Sequence, residues 1–476
     1  MKLTLLYPFS DSGSLAQLNY NCTLYHLKGV MDTLSGVLMS IDLHHLRSQL
    51  EHSETRRIQH GVEQIVQRLV NVVGDAEERF HTNEVYGVGS YYSGTKINTP
   101  DEFDFLVELA AFEKLGSFKL RSPSFAVYTE TQKRDTGIYK KIQLLDEAMI
   151  QEWKVENVCV NVGTKTRPVY ILDQIAIKNA YYFTIETVWE TFTASLPKGF
   201  TALNHQLGPG PSLILNLKWR GRKFPHLLVS VDMSLAIHVP NWPEGYDFHK
   251  QYPENPFSDI VSKLVTKYGH HLVPCVSSGD WQVPDASWKV SSSLVETRLF
   301  NRFPKDSRPL ILMRLFKHFK SYCFTLKGQE LLPGGYGEAK HDKETDTEII
   351  SSYLIKQSVF HMMIKIPLDS WNKDQVGKLF LDLVRFLFKV LQCQHLQDVF
   401  NSHNRLSLPE KGCKGLEYFG MLLDAFRNLY SSLKIHEEKL NTVFDYLSEI
   451  VEDCAKYDQS VKELVDGLPD HLKQHR

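Results

Sequence analysis

Glu102 and Asp104 stand two residues apart in a run that includes Phe103, Phe105, Leu106 and Val107. At the two-residue period of a β-strand, both carboxylates leave the same face. Gly89-Ser90 precedes Glu102 with eleven residues between. Glycine lets a turn adopt positive φ and bring backbone N–H groups close to phosphate oxygens. Two hard oxygen ligands beside such a turn suit Mg²⁺ shared with nucleotide phosphates, the chemistry of nucleotidyl transfer.

A two-metal site needs a further anionic ligand so that the ions can sit about 3.5–4 Å apart. The best candidate is Asp232, which interrupts the apolar stretch Leu227–Ile237. A buried carboxylate without a counter-charge is expensive, so this position calls for a metal or a cationic neighbour. An exposed or arginine-paired Asp at a strand end would show the same pattern.

The elements that carry these residues are readable in outline. The stretch from about Asp32 to Phe80 has a helical pattern, with Ile58, Val62, Ile65, Val66 and Leu69 on one stripe. Arg56, Arg57, His60 and Arg68 lie beside that stripe, where an ordinary solvated face would also put them. Strands are expected at Phe125–Thr129, Val158–Val162, Ser212–Leu217 and His226–Ile237, with a helix over Tyr170–Ser195. A basic hairpin with Lys218, Arg220, Arg222 and Lys223 joins the last two strands. Helix followed by mixed sheet is an α+β lobe. Beyond it, Arg308–Phe324, Glu348–Met363 and Val376–Leu396 read as long helices, Gln329–Asp346 as an exposed loop, and Gly415 to about Val465 as further helix.

The 476-residue chain is long enough for two lobes. Its net charge of −2 excludes a globally basic nucleic-acid binder, so any such surface must be local. The seven cysteines are scattered without C-x-x-C spacing, which fits a reduced compartment rather than a disulfide framework. The apolar run at Met1–Pro8 is too short for a leader, and no run reaches the roughly 18–20 apolar residues of a membrane span. A cytoplasmic protein without membrane contact is expected. The neighbouring pairs His44-His45 and His270-His271 do not converge on a metal, Cys159 and Cys393 read as buried thiols, and Gly208–Pro211 is a loop without the Gly-Lys-Ser/Thr of a P-loop.

With these residues in place the chain resembles the cyclic GMP–AMP synthase-like receptors, the male-abnormal branch of the polymerase-β-type nucleotidyltransferases. The resemblance is carried by Gly89-Ser90-Tyr91-Tyr92 with Glu102-Phe103-Asp104, by Ser230–Ala236, by Ser287–Ser293 and by Ser351–Lys356 with Val359-Phe360-His361. It covers roughly Ser35 to Leu406. It implies a bilobal α+β fold: an N-terminal segment 1–31, a nucleotidyltransferase core with the long helix over 32–296, and a helical lobe over 297–476. It implies two Mg²⁺ ions, replaceable by Mn²⁺, on Glu102, Asp104 and Asp232. It implies nucleotide contacts from Gly89, Ser90, Ser234, Lys289, Ser291, Ser293, Glu296, Arg314, Ser352 and Tyr353, the tyrosine stacking on a base. The substrates would be ATP, GTP or other NTPs, and the product a cyclic dinucleotide messenger of innate immunity and antiviral defence.

The vertebrate DNA-sensing synthase of this family carries a zinc thumb of one His and three Cys. The matching interval here, Glu296 to Met313, has neither residue type, so zinc is excluded there. It carries Arg298, Arg302, Lys305 and Arg308 instead. The favoured activator is therefore double-stranded RNA in preference to DNA, read through phosphates and helix shape by Arg56, Arg57, His60, Arg68, Arg298, Arg302 and Arg308. A ligand-bound oligomer is compatible with this reading. Lys289 stands where the synthase has arginine, and lysine lacks that residue's bidentate fork, so the bases of the product stay open. Two alternatives stand beside the cyclase: a catalytically silent scaffold of the same fold, and a synthetase of linear 2′–5′ oligonucleotides.

Overall fold

The computed structural model describes residues 34–400, apart from the segments 116–124, 129–138, 209–210, 275–286, 319–350, 367–370 and 372–374 and some shorter stretches, chiefly between 241 and 256. The expected loop at Gln329–Asp346 and the helix after Gly415 lie outside the described residues.

Residues 34–36 and 38–46 are helical and end in a π-helical turn, Asp42–Leu46. The long helix α1 (Ser53–Ala76) follows, started by His52, whose Nδ1 accepts from the Glu54 N–H at 3.1 Å. Its expected stripe is buried throughout: Ile58, Val62, Ile65, Val66 and Leu69 are at most 1% exposed. Strand β1 (Thr82–Val88), the short helix α2 (Gly89–Tyr92) and β2 (Glu102–Leu109) form the site's first hairpin. Then come β3 (Phe125–Tyr128), β4 (Tyr139–Leu144), α3 (Glu147–Trp153), β5 (Cys159–Asn161) and β6 (Tyr170–Leu172). Helix α4 (Gln174–Thr193) starts later than its sequence pattern suggests. Tyr170–Leu172 pair as a strand, and Asp173 caps the helix by accepting from the N–H groups of Ile175 and Ala176.

Strands β7 (Phe200–Leu207), β8 (Ser212–Trp219) and β9 (Leu227–Val239) extend the sheet beyond β2. Helix α5 (Phe257–Tyr268), β10 (His270–Pro274), β11 (Trp288–Ser291) and α6 (Ser293–Phe300) lead to the helical region. That region holds α7 (residues 308–318), α8 (Ser352–Lys365) and α9 (Val376–Cys393). The fold is α+β with one mixed sheet and a helical C-terminal region, as the sequence implies. The main path of the sheet is β1-β2-β9-β10-β11-β4-β6-β5, with β8 and β7 continuing outward from β9. β2 and β9 run parallel, whereas their other pairings are antiparallel.

Two large cores are separated. One packs α1 and α4 on the sheet. The other gathers α6 to α9 and includes Leu34, Leu38, Ile41 and Leu46. The stretch before α1 therefore packs among the helices rather than on the sheet, although in sequence it adjoins the sheet lobe. Among the described residues no helix is long and apolar enough to cross a membrane.

Candidate active site

The parallel pairing of β2 with β9 sets Asp104 opposite Asp232 and Glu102 opposite Ser230. Both acidic strands have their even-numbered residues on one face, so Glu102, Asp104 and Asp232 project from the same side of the sheet. Antiparallel pairing of β1 with β2 puts Val88 opposite Asp104, so the chain turns at Gly89 directly beside that carboxylate. Gly89 has φ +74°, and a Cβ there would overlap the Asp104 carboxylate. Only glycine meets both demands. Farther along the same face, Val88, Leu106, Ala236, Val273 and Leu294 form a small apolar plug that closes the site on one side.

Helix α2 is held from beneath. The ring of Tyr91 lies 4.4 Å from that of Phe103, and Tyr92 lies 5.4 Å from Phe105. The Tyr91 hydroxyl donates to Gln59 and the Tyr92 hydroxyl to Glu63, both at 3.2 Å and both acceptors on α1. The long helix is thus bonded to the turn that carries Ser90.

The carboxylates are short of positive charge. Burial, together with the charges of Glu102 and Asp232, pushes the Asp104 carboxyl up to about 7. Burial also raises Asp232, against a hydrogen bond from Ser230 Oγ at 3.1 Å. Lys96 is the nearest counter-ion, with Nζ 2.8 Å from both Asp101 and Glu102. This donor set of hard oxygens with uncompensated charge fits divalent cations. It is not a finished cage: among the described residues no group of three His, Cys, Asp or Glu is gathered closely enough to hold a metal ion. Glu102 is turned toward Lys96, and it would exchange that partner on joining Asp104 and Asp232 around a cation.

Beside the turn lies a pocket of about 160 Å³ lined by Gly89, Ser90, Glu296, Ser352 and Tyr353, with Lys317 and Lys356. Five of the expected nucleotide residues thus meet in one place. Tyr353 donates to Asp398 at 2.6 Å and to Glu296 at 3.4 Å, while Lys356 pairs with Glu296 and sits 4.7 Å from the Tyr353 ring centre. Lys317 donates to Thr95 Oγ1 at 3.4 Å. Burial, with Lys356 and Lys96 nearby, brings its ammonium down to about 7.

Arg314 is not in this pocket. Its guanidinium makes a bidentate pair with Asp42 at 2.5 and 2.8 Å, and donates to the carbonyls of Gly94 and Lys305 at 2.8 Å each. At 2% exposure it is a buried clasp between the segment before α1, the loop after α2 and α7. Lys317, three residues further along the same helix, holds the cationic position expected of Arg314. Lys317 lies outside the motif that contains Arg314, and helical i, i+3 spacing from that residue is the signal the sequence offers for it. Ser234 follows Asp232 on the same face of β9, and Lys289 is exposed on β11. Ser291 and Ser293 bond to each other at 2.8 Å at the start of α6. None of these four lines the pocket.

The basic residues divide. Arg56, Arg57 and His60 are exposed on α1, and the Arg57 guanidinium lies 5.5 Å from the Trp219 ring centre. Arg302 is exposed, Arg298 lies 5.7 Å from the Tyr268 ring centre, and Arg68 donates to the Ser195 carbonyl. Arg308 departs from its expected surface role. It is 6% exposed, and its guanidinium donates to the Asp306 carbonyl at 2.7 Å, bracing the loop before α7. The hairpin 220–223, by contrast, joins the α1 surface. The Glu54 carboxylate accepts from Trp219 Nε1 and from the N–H groups of Arg222, Lys223 and Phe224, at 2.9 to 3.1 Å. Arg220, Arg222 and Lys223 are left exposed near Arg56 and Arg57.

Two family models match the chain. Residues 91–302 match the Mab-21 protein nucleotidyltransferase domain, and residues 312–408 match the Mab-21 protein HhH/H2TH-like domain. A mouse relative, cyclic GMP-AMP synthase, is 22% identical over 419 residues, which cover 84% of this chain and 69% of the relative.

Proposed function

Because the chain belongs to the Mab-21 family, carrying both its nucleotidyltransferase domain and its C-terminal domain, we propose that it is a nucleic-acid-activated transferase that joins two NTPs into a cyclic dinucleotide messenger of innate immune signalling. The observation that carries this reading is the pairing of Asp104 with Asp232 beside the Gly89-Ser90 turn, with too little positive charge to balance the carboxylates. A silent scaffold has no use for that electrostatic strain.

In this reading Glu102, Asp104 and Asp232 would hold two Mg²⁺ ions, which would supply Lewis acidity toward the attacking ribose hydroxyl and positive charge toward the departing pyrophosphate. The backbone at Gly89, the Ser90 hydroxyl, Lys317 and Lys356 take the donor triphosphate. Asp232 accepts the proton of the attacking hydroxyl. Tyr353, at the wall of the same pocket, stacks on a base, with Glu296 and Asp398 fixing its hydroxyl. A second transfer at the same carboxylates closes the ring.

The activator is double-stranded RNA, met by Arg56, Arg57 and His60 on α1 together with Arg298 and Arg302. The bonds from Tyr91 and Tyr92 to Gln59 and Glu63 supply a route by which load on α1 reaches the phosphate turn. Incubating the full chain with all four NTPs, Mg²⁺ and either double-stranded RNA or DNA tests both parts. Phosphatase-resistant product is expected with RNA and is abolished by Glu102→Ala with Asp104→Ala; product that survives this double change refutes the carboxylate assignment. Reversal of Arg56 and Arg57 to Glu is expected to remove RNA stimulation, and unchanged stimulation refutes the α1 surface.

A further inference from the structure

On the other flank of the carboxylates lies a second and larger opening. Gly89 follows β1, on one side of β2, whereas β9, β8 and β7 extend from the opposite side. Along their open face runs a cleft of about 500 Å³ bordered by Glu102 and Lys96. Strand register gives it an ordered floor. Glu102 pairs with Ser230, Ser230 with Asn216, and Asn216 with Asn204, so one row of polar side chains crosses four strands. Asn216 Nδ2 donates to Asn204 Oδ1 at 2.7 Å. Leu203 and Leu228 border the cleft at 49% and 62% exposure.

The chemistry of this cleft differs from that of the triphosphate pocket. Its volume falls in the range of small-molecule sites and is about three times that of the pocket beside Ser90. Paired amides offer donors and acceptors without charge, as ribose hydroxyls and base edges require. Exposed leucines offer apolar surface to a sugar or base, and Lys96 at the rim, paired with Asp101 and Glu102, is freed toward one phosphodiester when Glu102 turns to a cation. A nucleoside unit fits this set of groups, and a triphosphate does not.

We propose that the cleft is a subsite for the nucleotide preceding the attacking hydroxyl, so that the substrates include linear di- and oligonucleotide acceptors as well as single NTPs. The proposal rests on the transferase reading above. In the step it serves, the terminal ribose oxygen of the acceptor bonds to the α-phosphorus of the donor NTP. The bond from that phosphorus to the bridging oxygen of the β-phosphate breaks, pyrophosphate leaves, and the hydroxyl proton passes to Asp232. The acceptor grows by one nucleotide, and Asn204, Asn216 and Ser230 hold the unit behind the reacting end. The row leads away from Glu102 toward the free edge at β7, so nothing in the strand order limits the acceptor to two units.

The test uses the full chain with 2′–5′ and 3′–5′ linked ApA as probes. Calorimetric binding of ApA is measured without donor, and extension of ApA with ATP and Mg²⁺ is then followed in the presence of double-stranded RNA or DNA. Asn216→Leu removes the amide from the floor, and Leu228→Glu places an anion beside the phosphodiester. Each is expected to weaken ApA binding and raise the KM for ApA by about tenfold, the size of one lost hydrogen bond or one repulsive charge, while the KM for donor ATP moves by less than about twofold. Both positions face the open side of the sheet, and melting curves verify that the variants fold. ApA binding that is absent in the wild type, unmoved in both variants, or shifted in step with ATP overturns the subsite. ApA that binds in a variant-sensitive way but is never extended upholds the subsite and refutes the transferase reading instead.

Discussion

Replacing Asp104 by Asn should make the metal-free protein more stable while destroying its activity. The Asp104 carboxyl sits at about 7 in the fold against 3.8 for an ordinary aspartate, raised by burial and by the charges of Glu102 and Asp232. Between those two values the folded state holds more protons than the unfolded chain, so stability falls as pH rises from about 4 to about 7 and is level above. At about 1.4 kcal/mol per unit, the ionised carboxylate costs at most about 4 kcal/mol at pH 8. Partial access of water to the site screens its neighbours and reduces the expected gain on substitution to about 2 kcal/mol. The assay is urea unfolding of wild type and Asp104→Asn at pH 5 and pH 8 without divalent metal. The variant should gain at pH 8 and gain much less at pH 5. Saturating Mg²⁺ should stabilise the wild type and leave the variant unmoved, because the cation binds only the folded carboxylate set. A gain equal at both pH values, or a loss at pH 8, refutes the charge-strain argument.

Three further outcomes follow from the same geometry. Arg314→Met leaves the buried Asp42 with only the longer 3.9 Å contact to Arg47 and is expected to cost about 3 kcal/mol, whereas pairing it with Asp42→Leu should recover most of that loss in unfolding measurements. At Glu54, burial opposes ionisation but the hydrogen bonds from Trp219 and the 222–224 turn prevail and hold the carboxyl at about 2. Its stabilisation, about 3 kcal/mol by the same conversion, is present above about 4.5 and lost as pH falls toward 2, and Glu54→Gln should flatten that part of the acid-unfolding curve. Lys317, brought down to about 7, is largely neutral above that pH in the free protein. ATP binding at pH 8 should therefore take up a proton, seen as buffer-dependent binding heat, and Lys317→Met should abolish the uptake.

The α1 stripe and the apolar strand around Glu102 and Asp104 were legible because burial follows a local period, and the α+β class followed from their order. The start of helix α4 is not legible locally because Tyr170–Leu172 are apolar in either a strand or a helix, and pairing with β4 and β5 decides between them. Strand β7 was missed because its exposed residues alternate poorly, and its partner β8 supplies the order. Arg314 was assigned to phosphate because a cation in a motif looks the same whether it meets a ligand or a buried aspartate. Asp42 lies 272 residues away, beyond any local pattern.

What the sequence determined by itself was the chemistry at hand: a glycine turn, two carboxylates on one strand face, a third on another strand, and a family to which all three belong. These depend on residue type and short spacing, which the chain carries with it. Tertiary structure alone decided which groups share a space. The parallel register of β2 with β9 sets Asp104 against Asp232, α7 delivers Lys317 rather than Arg314 to the pocket beside the Gly89-Ser90 turn, and the row from Glu102 to Asn204 exists only once four strands lie side by side. Contacts of that kind join positions far apart in the chain, and their energies come from burial and charge that no local segment contains.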